Sequence, residues 1–93
     1  MKHLNITVKG KVQGVHFRAS TKAVADQLGV KGYVMNQPDG SVYIEAEGDD
    51  FELDTFLDFC KEGPEGAEVT DVEIQELDLV GEFKNFVVLK RPK

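Results

Sequence analysis

Three things are scarce in this chain. Its 93 residues include one cysteine, Cys60, so no internal disulfide and no cysteine-rich metal site can form. Such usage suits a reducing compartment. Apolar runs are only a few residues long, too short to span a bilayer as a helix. The opening residues, Met1 to Ile6, lack the apolar segment and small-residue cleavage site of a secretory signal, which makes the cytoplasm the expected compartment. Basic residues are the third scarcity. Eleven Lys and Arg stand against seventeen Asp and Glu, and the net charge of -6 repels polyanions, so nucleic acid is not an expected partner. An acidic protein can still hold one small anion, provided a local device of oriented backbone N–H groups and a fixed guanidinium is present.

What is present fits one domain over residues 1–93, because a chain of this length has material for a single core. Leu4, Ile6 and Val8 alternate with Asn5, Thr7 and Lys9, predicting a strand over 3–11 with one buried face. Residues 19–28 favour helix. Val24, Gln27 and Leu28 share a face, Ser20 and Thr21 are placed to cap it, and Gly29 is a natural stop. Strands are predicted over 32–36 and 41–47, joined as a hairpin through Gln37-Pro38-Asp39-Gly40. Leu53, Phe56, Leu57 and Cys60 recur at helical spacing, with Asp49 or Asp50 as N-cap. Val69, Val72, Ile74, Leu77 and Leu79 suggest a fourth strand of irregular phase, and 86–89 a last one.

The order strand, helix, strand, strand, helix, strand, with one extra C-terminal strand, is a split β-α-β pattern. Two helices cannot cover both faces of so small a sheet. The expected fold is α+β, a two-layer sandwich with an antiparallel sheet and both helices on one face.

This topology has a chemical consequence. The helical crossover makes strands one and two parallel, and the third strand lies between them. Strands one and two therefore end at the same sheet edge, two inter-strand spacings apart, about 10 Å. Arg18 follows the first of these ends and Asn36 closes the second. Between them a tetrahedral anion and a water fit side by side. Arg18 offers a permanently charged fork matched to phosphate oxygens, and Asn36 can donate and accept together, as holding a water requires. Gly14 lets the chain curl, so N–H groups from about 14 to 18 can converge as a nest, and the first helix starts at the same edge with its free N–H groups.

No phosphate-binding Gly-Lys-Ser/Thr loop is present. Asp, Glu and His form no cluster with metal-ligand spacing, and His3 and His16 have no spaced partners. No Ser or Cys nucleophile has an adjacent base. The chemistry open to such a site is metal-free attack by an oriented water on a phosphate whose leaving group needs no protonation. A carboxylate qualifies, since its conjugate acid has a pKa of about 4. Positioning and charge stabilisation then suffice to cleave an acyl phosphate.

The stretch Gly10-Lys11-Val12-Gln13-Gly14-Val15-His16-Phe17-Arg18 resembles the first signature of the acylphosphatase family. Gly32-Tyr33-Val34-Met35-Asn36 with Asp39-Gly40-Ser41-Val42 resembles the second. Length and element order are similar over essentially the whole chain. The resemblance implies a ferredoxin-like fold and hydrolysis of an acyl phosphate to a carboxylate and inorganic phosphate, the latter also a competitor. It implies no metal or organic cofactor. Arg18 would bind the phosphate, Asn36 would orient the water, and the backbone of Gln13, Gly14, Val15, His16, Phe17 and Arg18 would supply donors. His16 stands at a variable position of the signature and receives no catalytic role. The terminal aromatic common in relatives is missing from Val88-Leu89-Lys90-Arg91-Pro92-Lys93.

Plainer readings stand beside these. Arg18 alone reads as a solvated surface arginine, Asn36 as a turn residue, Gly40 as a turn glycine, and Cys60 as a buried inert thiol. One rival function is a non-catalytic module of the same fold that holds phosphate or carbamoyl phosphate. Another is a regulatory or RNA-binding ferredoxin-like domain, because Tyr33 and Tyr43 on adjacent strands are similar to base-stacking sheet aromatics. The acidic charge counts against the latter. A monomer acting on a small-molecule acyl phosphate, with no membrane partner, is the expected state.

Overall fold

Alternation along the first strand sorts the chain into two layers. In the computed structural model, which describes residues 1–79, 81 and 83–89, β1 (Lys2–Lys11) buries Leu4, Ile6 and Val8 beneath two helices. The elements follow as α1 (Phe17–Leu28), β2 (Lys31–Asn36), β3 (Val42–Gly48), α2 (Asp50–Glu62), β4 (Glu68–Leu77) and β5 (Phe86–Leu89). They form one sheet of order β4-β1-β3-β2-β5, with β3 between β1 and β2. Every neighbouring pair is antiparallel except β2–β5, where the extra strand adds in parallel, Val34 opposite Val88. Both helices pack on one face. Lys90 to Lys93, the end of the chain with no terminal aromatic, lie outside the described residues.

The core is the meeting of the two layers. Val34, Val42, Ile44 and Ala46 join the β1 residues against Phe17 and Ala25 of α1 and Leu53, Phe56 and Cys60 of α2, with Phe86 closing one side. Each large side chain so buried contributes about 1.5–3 kcal/mol. Helix α2 is held at its start by a reciprocal capping box, in which Asp49 accepts from the Glu52 N–H and Glu52 returns to the Asp49 N–H.

Helix α1 departs from the expected form. It begins at Phe17, not Ala19, and its buried stripe is Phe17, Thr21 and Ala25, while Gln27 is exposed. Thr21 is therefore in the second turn, where its hydroxyl donates to the Phe17 carbonyl at 2.7 Å, and it caps nothing. Gly29, with φ 79°, ends the helix as expected. Leu79 lies beyond the end of β4.

The face without helices is not uniformly open. His3, 1% exposed, sits between two carboxylates, with Nδ1 2.7 Å from Glu47 Oε2 and Nε2 2.8 Å from Glu45 Oε1. The β1–β3 register brings them together: His3 is opposite Glu47, so partners lie more than 40 positions away, where local spacing cannot show them. Phe83 packs on His3 and Tyr33 at ring distances of 5.9 and 6.0 Å, and the Gly81 N–H donates to Glu47. The hydroxyls of Tyr33 and Tyr43 both donate to Glu45.

Candidate functional site

Strand β1 continues past the last β1–β3 pair, Val8 with Val42, and leaves the sheet after Lys11. Val12, 1% exposed, anchors the departing chain in the core. The next residues curl. Gly14 has φ 73° and His16 has φ 61°, with Val15 between them on the ordinary side. Alternation of this kind turns successive N–H groups to a common centre. His16 is the one non-glycine residue with positive φ among the described residues, a conformation that costs about 1–2 kcal/mol for an L-residue. It occupies the N-cap of α1.

That helix N-terminus is left open. The His16 side chain makes no cap hydrogen bond, and the first turn holds no acidic residue. In α2 the same position is filled by Asp49, with Asp50 and Glu52 in the first turn. One helix of this protein neutralises its own positive end, and the other presents it.

Arg18 is the second residue of α1, not part of the loop before it, so its backbone N–H belongs to that open terminus. Its guanidinium is half-buried, and Nη1 donates to the Leu89 carbonyl at 3.1 Å. That bond to the end of β5 steadies the group while using one of its five N–H donors. Asn36 ends β2, opposite Val42. Its Oδ1 is buried and has no partner among the described residues. A buried acceptor in that state costs about 1–3 kcal/mol unless a donor arrives.

Arg18 and Asn36 line one cleft of about 280 Å³, together with Gly14, His16, Phe17, Ala19 and Val88. Among the described residues, no carboxylate lines it. Gln13 and Val15, expected to offer backbone donors, are not in the lining. Val15 packs against the core, and the Gln13 side chain turns away toward the β2–β3 hairpin. Sequence spacing points to neither Ala19 nor Val88. Ala19 follows from the earlier start of α1, whereas Val88 arrives only through the parallel β2–β5 pairing, for which no local signal exists.

Other chemistry-bearing groups lie elsewhere. Cys60 is fully buried on α2, and burial pushes its thiol up to about 12. A second hollow is lined by Lys9, Gly10, Asp39, Gly40 and Ser41, where Asp39 and Ser41 satisfy one another. The Ser41 hydroxyl and N–H hold the Asp39 carboxyl below its ordinary range. Among the described residues, no three His, Cys, Asp or Glu side chains are grouped to hold a metal ion, and no helix is long and apolar enough to cross a membrane.

A family model described as Acylphosphatase matches residues 4–88. The chain is 51% identical over 88 residues to an acylphosphatase of Thermotoga maritima, covering 95% of this chain and 97% of that protein. It is 44% identical over 90 residues to one of Methylococcus capsulatus, covering 97% and 98%. The crystal structure of acylphosphatase from Bacillus subtilis superimposes with a TM-score of 0.92 at 35% identity, covering 96% of this chain and 99% of that one. Full-length HypF in its phosphate- and nucleotide-bound form gives 0.83 at 27% identity, with only 12% of that chain covered.

Proposed function

The chain belongs to the acylphosphatase family and is an acyl phosphate hydrolase, and from that premise we propose how its own residues carry the reaction. The substrate phosphoryl group rests against the N–H groups of the 14–18 curl and the start of α1. The Arg18 guanidinium closes on two of its oxygens. Asn36 holds the attacking water through its side-chain amide, and the water oxygen adds to phosphorus as the P–O bond to the acyl carboxylate breaks. The carboxylate leaves with the bonding pair, and the water protons end on phosphate and solvent. No general acid is required because the leaving group is a weak base.

The observation that carries this reading is the meeting of Asn36 and Arg18 in one cleft with an uncapped helix N-terminus. Donors at one end of the cleft suit an anion, and an amide residue at the other suits a water. The reading takes residues 1–93 as one domain, supported by a family match spanning 4–88. It also takes the protein as a monomer in the cytoplasm that requires no cofactor. Inorganic phosphate, as product, competes for the same cradle.

The test is hydrolysis of benzoyl phosphate in the presence of EDTA. Turnover should persist, Arg18→Ala should lower kcat/KM about a thousandfold, and Asn36→Ala should lower kcat about a hundredfold with the inhibition constant of phosphate nearly unchanged. Full turnover by Asn36→Ala would remove the water-holding role.

A further inference from the structure

One half of the cleft has a neighbour that reaches for the other. Gln13 precedes Gly14, and Gln37 follows Asn36; Gly14 and Asn36 both line the cleft. The Gln13 Nε2 donates to the Gln37 carbonyl at 2.8 Å and to the Ser41 carbonyl at 2.9 Å. Both acceptors are backbone carbonyls, which cannot donate, so the orientation of the amide follows from chemistry. We infer that Gln13 is a positioning residue, whose side-chain amide sets the distance between the phosphate cradle and the water-holding Asn36.

The ladder alone does not set that distance. The β1–β3 pairing ends at Val8 with Val42, and the β2–β3 pairing at Asn36 with Val42. Beyond Val42, loop 12–16 and turn 37–41 leave the sheet separately. Among the described residues, the hydrogen bonds that join them are the two from Gln13. One side chain therefore restrains the separation of two groups that must act on one phosphorus atom.

The turn itself does not depend on this clamp. The Gln37 carbonyl also accepts from the Gly40 N–H at 3.1 Å, and the Ser41 carbonyl from the Gln37 N–H at 2.9 Å. Removing Gln13 leaves neither carbonyl orphaned. The Ser41 hydroxyl is engaged within the turn with Gln37 Oε1 and Asp39 Oδ1. Loss of the clamp is thus expected to loosen a distance while the fold stays intact.

The inference rests on the roles proposed above for Arg18 and Asn36, and a double-mutant cycle separates the two levels. Gln13→Met keeps the side-chain volume and removes the donors; Gln13→Ala is the second variant, and thermal melting confirms that each is folded. With benzoyl phosphate as substrate, Gln13→Met should lower kcat about tenfold to a hundredfold, the range for a small misplacement of reacting groups. The inhibition constant of inorganic phosphate should move less than about threefold, because the cradle is local to residues 14–18. In an Asn36→Ala background the same change should lower kcat less than about twofold, since the group it positions is gone. An equal loss in both backgrounds, an unchanged kcat, or a loss of phosphate binding as large as the loss of turnover would overturn the inference while leaving the Asn36 reading in place. Full turnover by Asn36→Ala would overturn both.

Discussion

Replacing His3 by Gln tests the buried network on the helix-free face more sharply than any change in the core. Both ring nitrogens contact carboxylate oxygens, at 2.7 and 2.8 Å. A neutral imidazole has one N–H, so with both glutamates ionised one contact would set a lone pair against a carboxylate, and both are then satisfied only by the imidazolium. Burial opposes the charge, but the hydrogen bonds and charges of Glu47 and Glu45 outweigh it, and the His3 pKa rises above its ordinary 6.5. A charge-assisted hydrogen bond is worth about 1.5–3 kcal/mol, and breaking a buried pair costs about 3–5 kcal/mol. A glutamine can still donate to one carboxylate, so about 3 kcal/mol is expected at pH 6, out of roughly 5–14 kcal/mol for a chain of this size.

The pH dependence has a fixed sign. The folded pKa lies above the unfolded one, so the contribution is complete below pH 6.5 and is lost as pH rises through the folded value. The decline cannot exceed about 1.4 kcal/mol per pH unit for one proton. Urea unfolding followed by circular dichroism at pH 6 and pH 9 measures it. The deficit of His3→Gln should shrink between the two, with wild type losing stability over the same interval. A deficit equal at both, or below about 1 kcal/mol at pH 6, would refute a charged His3.

The tyrosines beside this network should titrate late. Burial, together with the Glu45 carboxylate, pushes Tyr43 up to about 12 and Tyr33 higher still. Phenolate absorbance in the folded protein should therefore be missing at pH 10.5, and stability should fall above about pH 10, where the unfolded chain ionises first. Gly32 has φ 143°, and a Cβ there would overlap the Glu45 carbonyl of the neighbouring strand, so Gly32→Ala should cost at least about 3 kcal/mol, or about 12–24 °C in Tm. A shift of less than 4 °C would show that β3 yields readily. Asp49→Ala, which removes the α2 capping box, should cost about 1 kcal/mol in urea unfolding, and Asp49→Asn much less.

Strand alternation at Leu4, Ile6 and Val8, the hairpin at Pro38-Asp39-Gly40 and the helical spacing of Leu53, Phe56 and Cys60 are short-range periodicities, legible in the amino-acid sequence because each lies within a few neighbouring residues. The meeting of Arg18 and Asn36 at one edge is legible too, because it follows from the parallel direction of strands joined by a helical crossover and from strand order. Four features are not. Helix α1 starts two residues before its sequence signals suggest, because its N-cap, His16, adopts a left-handed conformation with no side-chain cap. The carboxylate partners of His3 and the place of Val88 both depend on pairings between residues about 40 to 55 positions apart, which no local window samples. The loop sequence suggests a backbone role for Gln13. Its side-chain contacts depend on where the hairpin turn lies relative to the loop, a tertiary fact.

The central position of β3 governs how the protein reaches its working state. Neither β1 nor β2 touches the other, and each pairs with β3. A collapsed chain holding β1, α1 and β2 has both halves of the cleft but nothing to hold them apart at the right spacing. Insertion of β3 joins residues nearly 50 positions apart, Lys2 with Gly48, and such closures are slow compared with helix formation. Helical signal should therefore recover early in refolding and turnover of benzoyl phosphate late. Phosphate, bound by the ordered cradle of the native state, should slow unfolding without hastening the early steps.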